Sequence, residues 1–313
     1  MTLVPSCCAA LKPSCVGAIP HAARATARPV PAGRRWWLAA GAALLGGPTA
    51  ASAQTDYYNT DSGRPTVIED AYALEYRGFE VQAAPLRLER ARRGVYNWGI
   101  EPELALGIFP RTQIEVGVPL AYVDAGAAGR TSGVAGVDAS LLYNFNAETR
   151  FIPALAVRGS LLLPVGGLGP ERTYGSVAGI VTRTLPRFGP LRVHLNGQYT
   201  FGNEPSRPAA GTGAPLLGAG ATEVSRWLAG GAVDYAFPLR STLITGELHA
   251  TQPIDRDEAV QWATTVGLRR QFTVRWTTDF GIGRRLNGDD RAWYTTIGAA
   301  FAFGSVGRLP FGR

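Results

Sequence analysis

Between Asn97 and Val123, apolar and polar residues alternate in two runs separated by a short turn. Trp98, Ile100, Leu104, Leu106 and Ile108 share one face of the first run, and Glu101, Glu103 and Ala105 share the other. In the second run, Ile114, Val116, Val118, Leu120 and Tyr122 oppose Gln113, Glu115 and Gly117. Successive side chains of a strand point to opposite faces. A period of two therefore predicts a hairpin with one greasy and one polar side, turning at Pro110-Arg111-Thr112.

The unit recurs along the chain. About twelve alternating segments are expected. The first is Arg77–Glu89, whose phase Pro85 interrupts, predicting a bulge or an edge. The hairpin above supplies the second and third. Four more lie near Val134–Phe145, Phe151–Leu163, Tyr174–Leu185 and Leu191–Gly202. The last five lie near Glu223–Phe237, Thr242–Ala250, Ala259–Arg269, Phe272–Gly283 and Arg291–Phe303. Connections alternate between tight (Pro110–Thr112, Asn146–Arg150, Pro186–Pro190, Pro238–Ser241, Arg270-Gln271) and looser (Asp124–Ser132, Val165–Arg172, Asn203–Thr222, Pro253–Glu258, Arg284–Asp290). Such alternation describes an all-β, transmembrane antiparallel up-and-down β-barrel of about twelve strands, of the bacterial outer-membrane type. About 11 residues at a ~3.3 Å rise and ~45° tilt climb about 25 Å, the height of that membrane's apolar band.

Face composition separates this reading from a soluble sandwich. Leu191, Val193, Leu195, Gly197, Tyr199 and Phe201 form one uncharged face, and Phe272, Val274, Trp276, Thr278, Phe280 and Ile282 another. A charge at mid-depth on a lipid face would cost ~2–4 kcal/mol. Aromatics gather at two levels. Trp98, Tyr122, Tyr174, Phe201, Trp227, Trp262, Phe280 and Trp293 are expected at the long-loop rim. Phe109, Phe145, Phe151, Phe237, Phe272 and Phe303 are expected at the short-turn rim.

Charge excludes one class of partner. Five of the 31 Lys and Arg, and none of the 24 acids, fall in residues 1–53, so the remainder is nearly neutral at +2. Nucleic acid demands a basic face, and none is expected to bind. The leading segment reads as a signal peptide with a long n-region. Arg34-Arg35 precedes the apolar WWLAAGAALLGG, and Ala51-Ser52-Ala53 followed by Gln54 gives a small-x-small cleavage site. General secretion is favoured over twin-arginine export, and the true start is expected downstream of Met1. All three cysteines lie in this leader, which leaves no disulfide or thiolate metal site in the mature chain. The expected organisation is therefore 1–53 signal peptide, 54–76 periplasmic arm, 77–303 barrel and 304–313 tail.

The stretch EPELALGIFPRTQIEVGVPLAYV resembles the outer-membrane proteins of the phenol-degradation meta-pathway family, described as transporters. The likeness spans about Arg64 to Phe303. It implies a barrel and uptake or efflux of small, often hydrophobic compounds, and supplies no defined site. Near the end, Thr296, Gly298, Phe301 and Phe303 resemble the signal read by the barrel-assembly machinery, although ten residues follow Phe303.

Little looks catalytic. His194 and His249 are placed on the lumen face, but Asn196 stands where a barrel lipid hydrolase would carry its serine. Gly211–Gly220 is glycine-rich without a following Lys. Asp255, Asp257, Glu258, Asp289 and Asp290 read as solvated loop tips or as a place for a divalent cation between lipopolysaccharide phosphates. The lumen-lining candidates are Glu101, Glu103, Glu115, Arg158, Arg192, His194, Arg226, Asp234, Glu247, His249, Arg275 and Asp279. Their balanced charge predicts ion pairs across the interior and no strong ion selectivity. Asn203–Thr222 is the candidate for folding inward, and Gln54–Asp70 for a mobile arm or a plug. The expectation is a channel in the outer membrane, in contact with lipid and lipopolysaccharide. It would pass small solutes through a narrow lumen, without catalysis, cofactor or metal. The alternatives are a lipid-modifying enzyme based on His194 or His249, and a closed adhesive barrel presenting the 203–222 loop.

Overall fold

The computed structural model describes residues 57–92, 95–124, 129–203, 224–254, 259–287 and 291–303. The leader, Ala51, Ala53, Gln54, the 204–223 segment, the acidic loop tips and the 304–313 tail lie outside the described residues.

Fourteen strand segments are present: β1 (Phe79–Arg92), β2 (Val95–Phe109), β3 (Thr112–Gly117), β4 (Leu120–Asp124), β5 (Arg130–Val134), β6 (Val137–Asn146), β7 (Ala154–Leu163), β8 (Tyr174–Thr184), β9 (Leu191–Phe201), β10 (Ser225–Phe237), β11 (Thr242–Pro253), β12 (Gln261–Thr273), β13 (Trp276–Arg285) and β14 (Trp293–Phe303). Each pairs antiparallel with its neighbours, and β1 pairs with both β2 and β14, so the sheet closes on itself. Segments β3 and β4 are one spanning strand broken at Val118-Pro119, and β5 and β6 are another broken at Ala135-Gly136. The Pro119 carbonyl still accepts the Ala135 amide at 2.8 Å, so the ladder continues through both breaks. Twelve strands thus build the barrel.

The bulge expected around Pro85 is present as a register shift between Gln82 and Leu86 against both neighbours. It moves the inward phase from Glu80 and Gln82 to Arg87 and Glu89, all four buried. Because β1 is paired on both sides, it is not an edge. One turn lies a few residues beyond its expected place. The β12–β13 connection is at Val274-Arg275, not at Arg270-Gln271. The alternation runs through both places without a break, and only cross-strand pairing fixes which pair of residues turns.

Burial is inverted relative to a water-soluble domain. Leu104, Val116, Leu195, Val233, Val266 and Ile282 are exposed, whereas Glu80, Glu115, Arg192, Asp234, Glu247 and Arg269 are buried. Apolar surface this continuous requires hydrocarbon around it. The rims carry the expected aromatics, among them Trp98, Trp262 and Trp293 at one and Phe109, Phe145, Phe151 and Phe272 at the other. Tyr174 lies at the long-loop rim as expected but points inward, packing with Leu162 and Ile254, whereas Phe280 is not at a rim and sits at mid-height opposite Leu268 and Ile297. Val266 tests the lipid face. Val266→Arg is expected to destabilise the barrel by about 2–4 kcal/mol in a urea-unfolding titration in lipid vesicles. An unchanged midpoint would contradict a membrane-facing β12.

Candidate functional site

The interior is not left open. Residues 57–78 overlap the 54–76 segment expected as a periplasmic arm, of which 54–70 is the candidate plug; they run from Arg192 near the short-turn rim up to Glu247 at Val67 and back down to Gln113 at Leu74. A backbone outside any sheet still needs hydrogen-bond partners, and buried amides left unmet are costly. Here wall side chains supply them. The Val67 and Ile68 amides donate to Glu247 Oε2 at 2.7 and 2.9 Å. The Ala71 amide donates to Thr182 Oγ1 at 2.9 Å, and Asn144 donates to the Ala71 carbonyl. Leu74 donates to Gln113. With its amide oriented to satisfy both contacts, Asn196 brackets the backbone of Glu69 at 3.0 Å on each side.

Charges are matched in three groups. Near the short-turn rim, Arg64 pairs with Asp61 and, at 3.2 Å, with Glu80, while Arg269 reaches Asp61 at 3.4 Å. Asp279 lies in this neighbourhood with neither carboxylate oxygen hydrogen-bonded. At mid-height, Arg158 joins Glu69 of the plug to Glu115 of the wall, the second contact at 3.1 Å. In the third group, Arg192 links Asp70 of the plug at 3.4 Å to Asp234 at 2.7 Å. Burial works against the Asp61 charge, but Arg64 and Arg269 outweigh it and hold the carboxyl below its ordinary range. Burial wins at Glu69, whose carboxyl is pushed up to about 8 against the pull of Arg158.

One apolar patch interrupts the polar wall. Leu142, Ala154, Ala156 and Ile180 surround Ala71, with Tyr72 and Ala73 packed beside them. An inward Ile180 or Leu142 would be out of place facing water, and the plug explains both. Glycine does the same for close approach. A Cβ at Gly107 would lie 2.0 Å from the Glu75 carbonyl oxygen, and one at Gly267 2.2 Å from Pro65 Cγ.

The sequence-derived candidates separate accordingly. Glu115, Arg158, Arg192, Asp234 and Glu247 hold the plug or its partners. Glu101, Glu103 and His249 line a cavity on the long-loop side of it. Two were wrongly placed. Arg275 is exposed in the β12–β13 turn, because the turn falls there. A register shift between Ser225 and Trp227 takes Arg226 out of the cavity lining, and it donates instead to the Thr200 and Gly202 carbonyls. Arg64, Glu69, Asp70, Glu80, Arg87 and Arg269 were missed. Those on the plug showed no alternation to mark them, and the bulge obscured those on β1. The residues resembling an assembly signal have contacts of their own: Thr296 donates to Pro65 of the plug, and Phe301 meets Phe303 edge-on with ring centroids 4.8 Å apart.

His194 has an arrangement that the sequence concealed. Its register partner across β8–β9 is Thr182, and the ring sits between Thr182 Oγ1 at 3.0 Å and Asp234 Oδ2 at 2.9 Å. The tautomer that fits donates to Asp234 and accepts from Thr182, which itself accepts the Ala71 amide. Both residues are essentially fully buried under the plug, so the hydroxyl has no path to a lipid. His194 is a structural tie in this state.

Among the described residues, cavities of about 130 Å³ on the long-loop side and about 170 Å³ on the short-turn side flank the plug. Asp61 of the plug borders both. The clamp on the backbone is the simplest to break. Glu247→Ala is expected to raise hydrogen exchange at the Val67 and Ile68 amides by about tenfold or more, since an unmet buried group costs about 1–3 kcal/mol. Unchanged protection would show that the clamp is dispensable.

No protein-family model matches this chain, and no curated protein does. Solved structures do. The COG4313 outer membrane channel from Pseudomonas putida F1 aligns over 75% of this chain and 98% of its own, at 16% identity and TM-score 0.52. The KdgM porin aligns over 72% and 99% at 13% identity and TM-score 0.46, and the NanC porin over 71% and 98% at 13% and 0.45. At such identities the likeness to the COG4313 channel supports the fold, a closed twelve-strand antiparallel barrel, and assigns no substrate.

Proposed function

We propose that this barrel is an outer-membrane channel for small solutes, and that residues 57–78 control its opening. One observation carries the reading: a polar, water-compatible interior is divided into two cavities by a segment that is not part of the wall. A barrel serving only as a scaffold has no use for a charged interior, because buried charge is costly unless paired. Here four of those charges, Glu80, Arg158, Arg192 and Arg269, are paired by a segment belonging to no strand, and a segment held by side-chain contacts can leave. A twelve-strand barrel is narrower than the sixteen-strand porins, which suits small molecules. The ionic lining favours hydrated solutes over the hydrophobic compounds that the family resemblance implied. Conductance of the mature chain in planar bilayers tests this. Brief openings above a closed baseline are expected. Neither current nor solute flux, in the intact chain or in one lacking the plug, would overturn it.

A further inference from the structure

The cavity on the long-loop side has an unusual charge arrangement. Glu101 and Glu103 on β2 and Asp138 on β6 all line it and lie outside ion-pair distance of any described cation, because Arg158, which lines the same cavity, is held by Glu69 and Glu115. Glu101 is 94% buried. Beside them on β1 and β13, Arg87 and Arg285 also line the cavity. These two guanidinium groups share a single carboxylate, Glu89, at 3.9 and 3.5 Å. Both distances exceed a hydrogen bond. The Nε of Arg87, and the Nε and Nη2 of Arg285, have no hydrogen-bond partner although both side chains are more than nine-tenths buried. Arg87 is held in place by stacking 3.7 Å over the Tyr294 ring.

Opposite charges in one cavity would be expected to pair with each other, since that relieves both. These do not. The register places Arg87 opposite Gly99, so Glu101 is its diagonal neighbour on β2, within reach of a long side chain, but the Arg87 guanidinium stacks on Tyr294 instead. The result is one cavity lined both by guanidinium groups with unmet donors and by carboxyl groups without a hydrogen-bond partner among the described residues.

We propose that this cavity is a binding site for small zwitterions, molecules carrying both a carboxylate and an ammonium group. The solute's carboxylate is taken by Arg87 and Arg285, whose planar donors suit it. Its ammonium group is taken by Glu101 and Glu103, with Asp138 adding to the field. A singly charged solute would satisfy one edge and leave the other unmet. The inference takes the channel reading as its premise and specifies the solute.

The test uses the full mature chain in detergent micelles, with the plug in place, and saturation-transfer NMR. Four probes of similar size separate the charges: alanine, lactate, isopropylamine and lactamide. Alanine is expected to bind saturably and at least about tenfold more tightly than the other three. Arg285→Gln and, separately, Glu103→Gln should each weaken alanine by about tenfold. Each variant's fold is checked by its heat-modifiable gel mobility, so a misfolded variant is replaced by its partner substitution, Arg87→Gln or Glu101→Gln. Equal binding of all four probes, absent alanine binding, or insensitivity to a folded variant would overturn the proposal. Conductance measured on the same preparation keeps the two readings apart. Current without alanine binding removes only the zwitterion site, and alanine binding without current removes only the channel.

Discussion

Deleting residues 57–76 from the mature chain should turn a mostly closed barrel into a steadily conducting one. The segment forms no strand, so its loss removes no ladder hydrogen bond from the wall. Docking worth a few kcal/mol leaves an undocked state populated at only ~0.1–10%, so removal should raise mean conductance at least about tenfold. The wall groups released, chiefly Arg158, Arg192, Glu247 and Arg269, would be solvated by water entering the lumen rather than left unpaired. The barrel should therefore still assemble. Single-channel recording in planar bilayers, alongside the intact chain, decides it. Equal conductance in the two would show that the segment does not block passage.

Gly267→Leu should reach nearly the same open state by a single substitution. Gly267 faces inward on β12, and a Cβ there falls 2.2 Å from Pro65 Cγ and 2.8 Å from Pro65 Cβ. Leucine needs still more room. Overpacking costs about 1–3 kcal/mol, a large share of what holds the plug, whereas the strand's own ladder is untouched. Pro65 must move, and with it the neighbouring Arg64 pairs to Asp61 and Glu80. Gly197→Leu is the control, because Gly197 lies on the outward face of β9 with open space around its Cβ position. An open channel is expected for the first and wild-type behaviour for the second. A Gly267→Leu protein that conducts like wild type, with the Val67 and Ile68 amides still protected, would mean that the plug accommodates the intrusion.

The strands were legible because alternation is a local property. Leu191 to Phe201 announces its two faces without reference to any other part of the chain, and the structure keeps them. Where local pattern ran through a turn, as across Arg269 to Asp279, the reading slipped by several residues and carried Arg275 into the lumen. Where two residues meet only by register, as Thr182 and His194 do, nothing nearby in sequence announced the contact. Ile180, Leu142 and Gly267 could have served as signals. Each is an apolar or absent side chain on a face otherwise polar, which implies that something other than water touches it.

The sequence by itself determined that these strands have a hydrocarbon side and a polar side, because a period of two follows from backbone geometry alone and lipid tolerates no charge. Only the tertiary structure decided what the polar side is for. The charges of residues 57–78 find their counterparts in strands up to about two hundred residues away, and closure of the barrel is what brings Arg158, Arg192, Glu247 and Arg269 around one short segment.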